Sequence, residues 1–147
     1  MCLYFNNISN SQRRDARIQG KPVIAYKILR RAQKKLYGPY RKTFEWKPGL
    51  NISDRGEYNY GHGERLTKEE SERHYISPGL HLMMNLRDAW REANDLRENP
   101  NDRSIEVWEV KVDPKQIVAY GNFYGTPALV AHKVELVRRV LKREKKK

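Results

Sequence analysis

Apolar side chains recur along this chain with two periods, and the period of two dominates. Val23, Ile24, Ala25, Tyr26, Ile28 and Leu29 form a run rich in β-branched and aromatic types, which predicts a strand over 23–29. Phe44 and Trp46 alternate with Thr43 and Glu45, the pattern of a short half-buried strand over 43–46. Further strands are predicted over 80–84, 105–112 and 117–120. The period changes after Asn85. Leu86, Ala89, Trp90, Ala93 and Leu96 fall on one face of a helix, predicted over about 86–98, with Asn85 at its N-cap position and Asp88 three residues on. Thr67-Lys68-Glu69-Glu70 has capping-box spacing and predicts a short helix over about 67–74.

Residues 128–137 fit either period. Val130, Val134 and Val137 suit a helix, but the valine content and the flanking Gly and Pro favour one strand. Residues 6–21 are polar and aperiodic and are expected to be a loop. Residues 30–35 read as a basic connector, residues 50–64 as a long irregular loop and residues 121–127 as a loop. Strands outnumber helices, so the expected fold class is α+β: a mostly antiparallel twisted sheet with one main amphipathic helix and one short one. The 147 residues suit a single domain, expected over 1–137, followed by a basic tail over 138–147.

Charge changes this picture more than composition does. The chain carries 30 Lys+Arg against 18 Asp+Glu, a net +12. Residues 1–50 hold 12 basic and 2 acidic side chains, residues 51–110 hold 8 and 13, and residues 111–147 hold 10 and 3. Two basic ends around an acidic middle make a directional field, which points to nucleic acid, an acidic protein or a nucleoprotein as partner. The plainer reading is a solubilising surface with a disordered tail. Those ends can form one positive face only if the fold brings them together, so residues 30–42 and the region from Arg138 are expected on the same side. Cys2 is the only cysteine, which excludes an intrachain disulfide and suits a reducing, cytoplasmic setting. No apolar stretch is long enough to span a bilayer, so no membrane role is expected.

Few residues have the spacing of known chemistry. His62, His74, His81 and His132 are scattered, and no second cysteine exists to complete a zinc set, so no metal site is expected. No Gly-Lys-Ser/Thr occurs, and neither a phosphate loop nor a cofactor is expected. Cys2 follows the initiator Met and could become an N-terminal nucleophile after Met removal; otherwise it packs. His81 stands just after a Pro78-Gly79 turn, where it could serve as a base or phosphate ligand, or be held by a backbone carbonyl. If the protein is an enzyme, Cys2, Tyr26 and His81 are the catalytic candidates, with Lys27 beside them. Basic and aromatic residues interleave early on: Tyr26, Lys27, Arg30, Arg31, Lys34, Lys35, Tyr37, Tyr40, Arg41, Lys42 and Trp46. Rings that stack bases and cations that meet phosphates suit single-stranded nucleic acid; Arg138 and Arg139 would add to such a surface. Glu106 and Glu109 fall on opposite faces of a regular strand and cannot act as a pair unless a bulge intervenes.

Met1-Cys2-Leu3-Tyr4, Ala25-Tyr26-Lys27-Ile28-Leu29, Tyr37-Gly38-Pro39-Tyr40, Trp46 with Gly49, and Gly79-Leu80-His81 together resemble a set of small bacteriophage and bacterial proteins. That resemblance covers most of the chain. It implies a phage or mobile-element setting, in which blocking a host defence complex is one role, more than it implies a reaction. A fainter resemblance is to ADP-ribosyltransferase-like folds. It would place Tyr26 or Lys27, residues 80–89, and Glu106 or Glu109 in that fold's functional slots, although Tyr-Lys and Leu-His depart from the pattern. Two expectations follow: an accessory protein that binds nucleic acid or a host nucleoprotein through its basic face, and an enzyme acting on a nucleotide-derived ligand.

Overall fold

The computed structural model describes residues 3–4, 14–39, 44–53, 75–76, 80–123 and 125–141. Its strands are β1 (Leu3–Tyr4), β2 (Val23–Ala32), β3 (Lys35–Tyr37), β4 (Glu45–Trp46), β5 (Gly49–Ile52), β6 (Tyr75–Ile76), β7 (Leu80–Met83), β8 (Ile105–Val112), β9 (Ile117–Phe123), β10 (Thr126–Ala131) and β11 (Lys133–Val140). Residues 14–19 form α1, and α2 is Leu86–Leu96. The class is α+β, with every described strand pair antiparallel.

The strands lie in the order β5-β11-β8-β2-β7-β10-β9-β1-β6, with β3 on β2 and β4 on β3. This order forces the sheet to curl. Only His132 separates β10 from β11, so Ala131 and Lys133 are at most about 7 Å apart. In a flat sheet the three strands between β10 and β11 would hold them roughly 19 Å apart. Curling closes that gap and creates a concave face.

Strand alternation then sorts the core into two layers. Ala25 and Leu29 of β2, Val110 and Val112 of β8, Leu80 and Leu82 of β7, Leu129 and Ala131 of β10, and Val134 and Leu136 of β11 pack together inside the curl. Leu36 and Trp46 from the β3–β4 pair join them. On the opposite face, α2 lays Ala89, Trp90 and Ala93 against Ile28, Met83, Ile105, Val107 and Val140. Each fully buried aliphatic side chain contributes about 1.5–3 kcal/mol, so these two layers carry most of the fold's stability. Arg30 fastens the end of α2 to the sheet: its guanidinium donates to Ser104 Oγ at 3.1 Å and to the Leu96 carbonyl at 3.5 Å.

Several expectations are corrected. The stretch over 6–21 is not all loop: residues 14–19 are helical, Ala16 packs on the inner core, and Arg17 donates to the Lys115 and Ile117 carbonyls at 3.3 and 3.4 Å. Residues 30–35 are not a connector but a hairpin, in which β2 runs to Ala32 and turns through Gln33 and Lys34 into β3. Both turn residues have positive φ, 51° and 69°, the backbone of a tight hairpin turn. The loop expected from residue 50 begins instead with β5. The loop expected over 121–127 is a tight hairpin between β9 and β10, with Gly125 at φ 88° and its N–H donated to Asn122 Oδ1.

Residues 128–137 are two strands rather than one, because His132 changes partners: its N–H goes to the Gln116 carbonyl, and its own carbonyl accepts from Ser53 N. The final strand continues through Val140, which is buried, so Arg138 and Arg139 belong to the sheet and not to a tail. Asn85 precedes α2 as expected, but its amide donates to the Asp88 carboxylate rather than capping a backbone N–H. The helix ends at Leu96, two residues early. The helix expected over 67–74 and residues 142–147 lie outside the described residues.

Candidate functional site

At the Arg31 end of the concave face, β11, β8 and β2 run side by side. Arg139, Trp108 and Lys27 lie directly opposite one another across them, and Glu106 faces Leu29 one step further along. The alternation that buries Val110 and Val112 therefore also turns Glu106 and Trp108 inward.

Glu106 is 2% exposed, and a buried carboxylate needs counter-charges. Arg31 supplies a two-pronged contact, Nε to Oε2 at 2.6 Å and Nη2 to Oε1 at 3.1 Å. The Trp108 indole Nε1 donates to Oε1 at 3.0 Å, and Arg139 Nε stands 3.8 Å from the same oxygen. Burial alone would push the Glu106 carboxyl up; the Arg31 hydrogen bonds, the Trp108 indole and the charges of Arg139 and Arg31 outweigh it and hold the group below the usual carboxylate range. The same contact raises the Arg31 guanidinium further above its ordinary value. Glu106 is thus an anchored counter-ion, engaged on both oxygens.

Lys27 lies one strand over. Its Nζ donates to the His81 carbonyl at 3.0 Å and sits 5.3 Å from the centroid of the Trp46 ring. Phe44 meets Trp46 edge-on, with ring centroids 5.7 Å apart. Lys27 as a residue is half-buried, but its amine rests against a buried indole, and desolvation lowers its pKa to about 8. The turn carrying Trp46 is fixed by Asn51, whose side chain accepts from Lys47 N at 2.8 Å and donates to the Lys47 and Gly49 carbonyls at 2.8 and 3.0 Å.

The structure therefore gathers Lys27, Arg31, Trp46 and Arg139 of the expected binding residues, and adds Glu106, Trp108 and Phe44. Other expected residues fall elsewhere. Tyr26 packs on the α2 side, and alternation puts His81 there as well, beside Met83. Lys27 points the other way and meets only the backbone of His81, so these three side chains do not form one cleft. Arg30 faces α2 as a structural clamp. Arg138 pairs with Glu109 on the α2 side at 3.4 Å. Lys35 lies 3.9 Å from Glu45, Lys34 occupies the hairpin turn, and Tyr37 stands opposite Arg30 in the β2–β3 register. Cys2, Tyr40, Arg41 and Lys42 lie outside the described residues.

Glu106 escaped sequence reasoning because its partner Arg31 is distant in the chain. One signal was present: a carboxylate on the same strand face as Val110 and Val112 requires a cation from elsewhere. Among the described residues, no group of three or more His, Cys, Asp or Glu could hold a metal ion, and no helix is long and apolar enough to cross a membrane. Compared with protein-family models, with curated proteins and with solved structures, the chain finds no match.

Proposed function

We propose that this protein binds nucleic acid through the concave face on which its two basic regions meet. The observation that carries the reading is the shared carboxylate: Arg31, from the basic first third, and Arg139, from the basic end, both reach Glu106. Lys27 stands on the same face. The cluster counts three cations against one anion, and the side chains of Arg31 and Arg139 remain 41% and 48% exposed. Cations held in place by a buried anion, and still open to water, suit contacts with phosphate oxygens. The partly exposed Trp108 indole among them suits a base.

The resemblance to phage and bacterial proteins makes a nucleic acid of a host defence complex the first biological ligand to try. An enzyme acting on a nucleotide-derived ligand draws less support. Tyr26 and His81 are turned away from Lys27, and Glu106 is engaged on both oxygens. The test is retention of fluorescent RNA and DNA oligonucleotides at about 50 mM salt, with affinity falling steeply as salt rises. Absence of retention ends the proposal. Equal binding of an acidic protein lacking nucleic acid would move the assignment to that class of partner.

A further inference from the structure

The three tryptophans are not equivalent. Trp46 is 4% exposed and already faces the Lys27 amine and the Phe44 edge; Trp90 is 3% exposed on the buried face of α2. Trp108 is only partly buried, on the concave face, with a cation-bearing strand on either side. Its indole N–H is occupied by Glu106, and Glu106 is itself held by Arg31. That relay fixes the ring orientation through a hydrogen bond in the ring plane, while the ring packs in part against the inner core and stays in part exposed. The ring's cross-strand neighbours are Lys27 and Arg139, one on each side. A fixed, partly open aromatic surface between two cations can receive a flat ring whose linkers are anionic.

We infer that Trp108 is a stacking platform for an unpaired nucleobase, so that the ligand is single-stranded. The inference rests on the nucleic-acid reading above and narrows it. A duplex buries its base faces and offers Trp108 nothing to stack on, whereas a single strand presents a ring to the indole and phosphates to Arg139 and Arg31. Glu106 and Arg31 are positioning residues in this arrangement: they aim the ring and do not touch the base.

The experiment compares three probes on the full chain: a short single-stranded oligonucleotide, the duplex of the same length, and inorganic polyphosphate, which has charge but no base. The unaltered protein should prefer the single strand. Trp108→Leu should weaken single-strand binding about tenfold and polyphosphate binding far less, and Trp108→Phe, which keeps a ring but not the N–H that Glu106 aims, should recover only part of the loss. If Trp108→Leu does not fold, the unaltered protein carrying 5-fluorotryptophan gives the answer. The one indole fluorine signal that a soluble paramagnet broadens should move with the oligonucleotide and not with polyphosphate.

Equal affinity for duplex and single strand overturns the inference, as does an equal loss of both ligands in Trp108→Leu; polyanion binding would then stand without stacking. Binding of none of the three probes overturns the inference together with the reading beneath it.

Discussion

Arg31 and Arg139 hold the same carboxylate, that of Glu106, at 2.6 and 3.8 Å. The two contacts are unequal. Arg31 closes two short hydrogen bonds, while Arg139 contributes mainly charge. Arg31→Met leaves a buried carboxylate with weakened compensation, which in a fully buried pair costs about 3–5 kcal/mol. Arg31 is 41% exposed and Arg139 remains, so the expected loss is smaller, about 2 kcal/mol. Arg139→Met should lose less than about 1 kcal/mol. Denaturant midpoints of the two variants check this order.

Glu106 also sets an acid limit. Its folded pKa lies below the ordinary value of 4.5, so its stabilising contribution is complete above that pH and is lost as pH falls through the folded value. Asp102, held near 2 by Ser104 and the Glu98 backbone, titrates in the same direction. The difference in unfolding free energy between the unaltered protein and Glu106→Gln removes that shared part. It should be largest above pH 4.5 and shrink below it.

Lys27 acts in the same direction as Glu106 but at the alkaline end. Its folded pKa, about 8, lies below the ordinary 10.5, so between those values the unfolded chain binds the extra proton and stability rises with pH. Below about pH 8 the fold carries the charged amine at its full desolvation cost. Tyr120, raised by burial, opposes this trend at the alkaline end. Lys27→Met keeps Tyr120 and removes the lysine, so the variant's stability advantage should be greatest below pH 8 and fade toward 10.5. Oligonucleotide binding near pH 8 should take up protons in the unaltered protein and not in Lys27→Met, as isothermal titration in buffers of different ionisation heat would show.

The β2–β3 turn is strained by its residues. Gln33 and Lys34 both have positive φ, which ordinary side chains disfavour and Asn-Gly adopts readily. Replacing Gln33-Lys34 by Asn-Gly should raise stability by about 1 kcal/mol, read from the thermal midpoint. Oligonucleotide affinity should change little, because Lys34 lies in the turn and away from Glu106.

Local pattern made some of this legible in the sequence and not the rest. The strand over Ile105–Val112 was read in full, because β-branched and aromatic residues dominate it, with Ile105 and Val107 on one face and Trp108, Val110 and Val112 on the other. The faces of Glu106 and Glu109 followed from the same alternation, and the two carboxylates do pair with different arginines. The joint at His132 was invisible. Ala128–Leu129–Val130–Ala131 and the valines beyond it read as one apolar run, with no Gly or Pro to mark the point where the chain leaves β7 and β9 for β8 and β5. That break is dictated by sheet closure, a long-range property. The site failed to show for the same reason: the meeting of Arg31, Glu106, Trp108 and Arg139 depends on β2, β8 and β11 being neighbours. Only the expectation that the basic ends should converge pointed at it, and the structure places Arg31 and Arg139 together.

The most direct test of the central claim is the salt dependence of single-strand binding in the unaltered protein and in Arg139→Gln, a variant chosen because that side chain is exposed and its loss should not unfold the chain. The account predicts a linear fall of log affinity with log salt in the unaltered protein, and a slope reduced by about one in Arg139→Gln. An unchanged slope in Arg139→Gln, or no binding by either protein at about 50 mM salt, would contradict a nucleic-acid face built where the two basic regions meet.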